Sequence, residues 1–207
     1  MRARRYGDAG QAFPIYITVV GGLLFLAFAY FAVGQAAANR NGAQTAADAA
    51  ALAAAQDRRD QLADAWVESV LDPAKWQQIF DGSAEGLDPS CWRAQELAAR
   101  NDARLVGVGC VPDGLLGFTV EVETNKSVGE SIVPGTEERQ SNATAKAVIE
   151  PRCDFDLPIG DAEPDVLPKL LCKGGVEWEL KPDDIDVLPE PEDLFDVHLA
   201  DSQANDE

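Results

Sequence analysis

The sequence predicts an α+β protein: a long N-terminal transmembrane helix that continues into an alanine-rich helix, then a small antiparallel sheet domain with covering helices and an acidic C-terminal tail. Three observations carry that reading. From Phe13 to Val33 no residue is charged, and a helix of that length reaches about 30 Å, the thickness of a bilayer core. From Ala36 to Ala55 alanine dominates, and after Pro14 no proline appears until Pro73; alanine is the best helix former. From Leu116 to Thr124, Phe118, Val120 and Val122 alternate with Thr119, Glu121 and Glu123, the period of a half-buried strand.

The apolar run comes first. Arg2, Arg4 and Arg5 precede it and nothing of similar hydrophobicity follows. The expectation is a single pass with a cytoplasmic N-terminus and everything after Gly34 outside. The run is longer than the apolar core of a cleaved signal peptide, about 7–15 residues, and Pro14 sits in the first turn, where a helix tolerates it. A retained anchor is therefore expected. The chain divides into a cytoplasmic basic tip (1–12), the transmembrane helix (13–33), an alanine-rich helical stalk (34–72), an extracytoplasmic α+β domain (73–200) and a disordered tail (201–207).

One continuous helix is expected from near Pro14 to about Leu71, about 85 Å long, its upper half standing in water. There Asn41, Gln44, Thr45 and Asp48 form a polar stripe at helical spacing. Ala43, Ala47, Ala50, Ala51 and Ala54 form a smooth face that lets another helix approach closely. Leucine in place of Ala47 or Ala50 is expected to leave folding intact and to weaken association. Leu62, Trp66 and Val70 make an apolar seam toward the domain, and Asp57, Arg58, Arg59 and Asp60 read as a solvated collar.

Beyond Pro73 the chain reads as a short helical turn to Ile79, a loop through Gly82 and Gly86, and a helix capped by Asp88 or Ser90 that runs to about Asn101. Strands follow at Arg104–Val111, Leu116–Thr124 and Ala143–Glu150, with a turn at Pro112-Asp113-Gly114 and a loop containing Gly129, Pro134 and Gly135. Three such strands make an antiparallel sheet with one face covered by helices. After Pro151 the pattern weakens to a short helix at Val166–Leu171, a strand at Gly175–Leu180, and a docking turn at Asp193–Leu199 anchored by Leu194, Phe195 and Val197.

The formal charge is −19, from 36 acidic and 17 basic residues, with much of the acid after Glu150. No basic stripe is present to neutralise phosphates, which argues against nucleic acid and against adhesion to anionic lipid. Cys91, Cys110, Cys153 and Cys172 are an even set in the part assigned to the exterior and read as two disulfides. Of the three pairings, Cys91–Cys110 and Cys153–Cys172 are preferred because each joins near neighbours in sequence.

Catalytic patterns are missing. There is one histidine, His198, and no G-x-S-x-G, H-E-x-x-H or G-x-x-x-x-G-K. Asp183, Asp184 and Asp186 lack the glycine and terminal glutamate of a calcium loop. No enzyme activity and no cofactor are expected.

The run Arg40-Asn41-Gly42-Ala43-Gln44-Thr45-Ala46-Ala47-Asp48-Ala49-Ala50-Ala51-Leu52-Ala53-Ala54-Ala55, directly after a membrane helix that is itself preceded by Gly10-Gln11, resembles the N-terminal region of TadG-like (TadE/TadG-related) proteins of Flp/Tad pilus assembly, of actinobacterial type. The resemblance makes Gly10 the candidate processing position; Gln11 through Ile15 lack the glutamate that pilin-like members often carry after such a glycine. It implies a non-enzymatic, single-pass minor pilin or assembly component whose partners are other Tad pilus or assembly membrane proteins and, through its one helix, the lipid bilayer. The rival is a membrane-anchored extracytoplasmic binding or envelope-scaffold protein with no pilus role.

Overall fold

Helix α1 runs unbroken from Ala12 to Glu68 in the computed structural model, which describes residues 12–127, 138–157, 167–181 and 188–200. The expected single helix is present; it ends in a turn at 69–71 rather than continuing through Leu71, with Ser69 N donating to Ala65 O at 3.1 Å. The basic tip, Gly10, the loop glycines Gly129 and Gly135, the Asp183–Asp186 cluster and the tail 201–207 lie outside the described residues.

A 3-10 turn (Pro73–Lys75) and helix α2 (Trp76–Phe80) fold back beside the end of α1. Helix α3 (Cys91–Arg100) follows and packs along α1. Its last turn carries Arg100, the favourable charge for a helix C-terminus. Strands β1 (Ala103–Pro112), β2 (Gly117–Thr124) and β3 (Asn142–Pro151) follow the alternation read from the sequence. The sheet is completed by β7 (Phe195–Leu199) in the order β1-β2-β3-β7, every neighbouring pair antiparallel.

Register explains how α1 seats on this sheet. Phe118 pairs with Ala147, Val120 with Ala145 and Val122 with Ala143. Large residues on β2 thus lie opposite alanines on β3, and α1 packs on both strands. Small side chains on strand and helix let the two backbones come close, as dense packing requires. Ala46, Ala47, Ala50, Ala51, Ala54 and Ala55 belong to the same buried cluster as Phe118, Val120, Ala147 and Ile149.

At the far end of the domain the core turns aromatic. Trp66 and Trp76 lie 5.4 Å apart between ring centroids, Trp76 meets Phe155 edge-on at 5.4 Å, and Phe80 sits 5.1 Å from Phe195. Tilted and edge-on rings are the favourable geometry for such pairs. The Trp76 indole N–H donates to Ser69 O at 3.0 Å, which seats it against the turn that ends α1.

The region after Pro151 departs from expectation. Leu170 and Leu171 are not helical: β5 (Leu170–Cys172) is the middle strand of a second sheet between β4 (Cys153–Phe155) and β6 (Val176–Trp178). Pairing of Cys153 with Cys172 in register holds β5 extended. The strand expected at Gly175–Leu180 is the shorter β6. The docking turn at Asp193–Leu199 is instead the end of helix α4 (Pro191–Leu194) followed by the sheet strand β7. Its anchors Leu194 and Phe195 are fully buried.

Candidate functional site

The alanine face was the candidate surface for partner helices, and the structure places it elsewhere. Ala43, Ala47, Ala50, Ala51 and Ala54 are each 0% exposed, enclosed by β2, β3 and α3 of the same chain. The face packs as a small-residue face should, but against its own sheet. A long alanine helix is marginal alone in water, and the nearest apolar surface is the inner face of β2 and β3. The upper half of α1 is therefore not a stalk in water; its apolar face from Ala46 to Trp66 is part of the domain core. The polar stripe stays outside it: Asn41, Gln44 and Thr45 are exposed, and Gln44 Nε2 donates to Asp48 Oδ1 at 2.7 Å.

The charged collar is also more than solvated surface. Arg58 reaches Asp88 O through Nη2 at 3.3 Å and lies 5.9 Å over the Phe118 ring. Burial lowers its pKa from the ordinary arginine value, with the neighbouring Asp57 charge opposing that shift. The Arg59 side chain, 14% exposed, bridges Asp60 and Glu192 of α4 at 2.8 and 3.0 Å. These two side chains fasten α1 to the loop before α3 and to α4. Asp60 stays half exposed, as expected of the collar.

What α1 leaves open is its N-terminal half. Side chains from Phe13 to Val33 project away from the domain, with Phe25 and Phe31 65% and 62% exposed. Among the described residues this is the one helix long and apolar enough to cross a membrane. So large an apolar surface on a protein marks contact with lipid or with another protein.

Where α1 leaves the domain, Asn39 closes a small polar contact. Its Nδ2 donates to Lys126 O at 3.1 Å and its Oδ1 accepts from Thr124 Oγ1 at 3.0 Å. Ser141 N donates to the same hydroxyl at 3.1 Å. Thr124 is one of two buried polar residues among those described, and this network satisfies it. Nothing in the helical pattern distinguished Asn39 from its polar neighbours, so sequence reasoning missed it.

Both disulfides form as preferred. Cys91 joins Cys110 with Cα atoms 5.6 Å apart, tying the start of α3 to β1, and Cys153 joins Cys172 across β4 and β5. Between Leu105 and Cys110 the register of β1 shifts in a bulge, with Gly107 at φ +58°. Val108 N donates to Glu121 Oε2 there at 3.2 Å. The bulge distorts the outer strand of the sheet and so discourages edge-to-edge pairing.

Among the described residues no three His, Cys, Asp or Glu side chains converge to hold a metal ion. His198 lies on the outer face of β7, 3.4 Å from Asp196 Oδ2 and 3.9 Å from Glu150 Oε1.

Residues 10–57 match the family described as putative Flp pilus-assembly TadE/G-like. That segment takes in the apolar half of α1, Asn39 and the buried alanine run, and it is TadE/TadG-like, as the Gln44–Ala55 run suggested. The chain from residue 58 onward lies outside the match. No curated protein and no solved structure matches the chain.

Proposed function

We propose that this TadE/G-like chain is a single-pass membrane component of a Tad/Flp pilus system, a minor pilin or an assembly subunit, and that it meets its partners through the projecting half of α1. In this reading residues 13–33 cross the bilayer, the arginine-bearing tip stays in the cytoplasm, and the domain is displayed outside. Two disulfides in the domain support that side, since such bonds persist in oxidising compartments. The protein acts by association and carries no catalysis.

The observation that carries the proposal is the division of α1. The family match covers one helix whose first half is bare and apolar and whose second half is committed to the domain. The alanine face has no surface left to offer. A bare apolar helix sits stably in lipid, and the same side chains can also pack against other helices in the membrane. Assembly through helices 13–42 then needs no rearrangement of the domain.

Replacing residues 13–33 by an unrelated apolar span of the same length separates the two candidate roles of that helix. The variant is expected to remain in the membrane with a protease-resistant domain, and to lose co-purification with Tad pilus and assembly proteins. Retained co-purification would move the partner surface to the domain. A wild-type protein that co-purifies with none of them would favour the anchored binding or scaffold protein.

A further inference from the structure

Residues 34–42 of α1 lie between the apolar run and the buried alanine run, with little cover from the domain. The apolar run ends at Val33, and full burial in the domain begins at Ala43. Between them stands Gly34-Gln35-Ala36-Ala37-Ala38-Asn39-Arg40-Asn41-Gly42. All of these residues are exposed except Gln35 and Asn39, which are partly covered. Glycine and asparagine are weak helix formers, and two of each fall within these nine positions. A Cβ added at Gly34 or at Gly42 would meet nothing within 4 Å among the described residues, so no packing seen there demands glycine. What the two glycines do supply is a helix that opens easily.

One contact opposes that opening. Asn39 is hydrogen-bonded to Thr124 Oγ1 at the end of β2 and to Lys126 O on the loop after it, at 3.0 and 3.1 Å. It holds the middle of the stretch against the membrane-side end of the sheet.

We propose that residues 34–42 form a hinge between anchor and domain, latched by Asn39. With the latch closed, α1 is one rod and the domain stands in a fixed attitude on its anchor. With it open, the backbone from 34 to 42 leaves the helix and the domain tilts or lifts while both ends stay folded. Extended chain rises about 3.3 Å per residue against 1.5 Å in a helix, so full melting lengthens the connection by roughly 16 Å. The hinge rests on the membrane reading above, because a pivot requires a fixed anchor.

Amide hydrogen exchange on the full chain in lipid nanodiscs tests it. The expected pattern is slow exchange at 17–30, slow exchange at Ala46–Ala55, and exchange at least about a hundredfold faster at 34–42. Asn39→Ala removes two hydrogen bonds and is expected to speed exchange at 36–42 about tenfold. Gly34→Ala with Gly42→Ala is expected to slow it about fivefold per glycine, in a protein that folds normally because both sites are open. Protection at 34–42 equal to that at Ala46–Ala55, or indifference to both sets of substitutions, would overturn the hinge while slow exchange at 17–30 leaves the anchor standing. Fast exchange at 17–30 would overturn the anchor and the hinge with it.

Discussion

Residues 13–33 and 43–68 of α1 belong to one unbroken helix, yet they solve opposite problems. The first half carries large apolar side chains, Phe25, Leu26, Phe28 and Phe31 among them, and the domain covers none of them. The second half buries an alanine-rich face in the domain, with Ala46, Ala47, Ala50, Ala51, Ala54 and Ala55 at 0% exposure, and leaves polar residues such as Gln44 and Thr45 exposed. The bulkier surface is the one left open. Side-chain size explains the difference: alanine presents little area to lipid but permits a close seat on the alanines of β3, whereas the large side chains of the first half would hold the sheet away. Composition along one helix thus decides which part stays bare and which part folds into the domain.

The strongest break of this comparison is Trp66→Ala at the end of the buried half. Trp66 is fully buried against Trp76, and its loss is expected to destabilise the domain by about 3–5 kcal/mol. Thermal unfolding of the detergent-solubilised chain, followed by near-UV circular dichroism, would register that loss. A shift no larger than that of a surface change would remove α1 from the core.

Ala50→Leu comes next. On the expectation drawn from the sequence it would be silent for folding; in the structure it forces extra carbons into a filled space and should cost about 1–3 kcal/mol. Ala36→Leu, fourteen positions earlier on exposed helix, should leave stability near the wild-type value. Protease resistance of the two variants side by side sharpens the boundary between the halves, and equal resistance would erase it.

The smallest effect lies away from α1. Lys146, by hydrogen bond and charge, holds the Asp113 carboxyl below its ordinary pKa. A depressed carboxyl contributes stability that is present above its unfolded value and lost as pH falls through the folded one, so the loss belongs below about pH 4. The pair is exposed, and the effect should be slight. Asp113→Asn is expected to melt slightly below the wild type at neutral pH and to converge with it in acid. A gap that widens on acidification would reverse the assignment.

Much of this was legible in the sequence, for identifiable reasons. Length and apolarity gave α1, alternation gave β2, and near-neighbour spacing gave both disulfides. The later strands β4, β5 and β6 have three residues each, too few for a period to show. A signal was nevertheless present at Lys173-Gly174-Gly175: both glycines take positive φ in the turn between β5 and β6, and Gly-Gly between two short apolar runs is a hairpin mark. The alanine face was recognised as a packing face, but its partner was not. Periodicity says which residues share a side of a helix and is silent on whether the surface that meets them comes from the same chain. Asn39 escaped for a similar reason, since its partners Thr124 and Lys126 are more than eighty positions away.

The measurement that bears most directly on the division of α1 is site-specific photocrosslinking in native membranes, with a diazirine analogue of leucine at Leu26, Leu52 or Leu62. Leu26 is 63% exposed, Leu52 lies partly covered in the alanine run, and Leu62 is fully buried. Adducts to Tad pilus or assembly proteins are expected from Leu26 if the proposed function holds, and adducts within the chain alone from Leu52 and Leu62. Partner adducts from Leu52 or Leu62 in a folded domain, with none from Leu26, would contradict it.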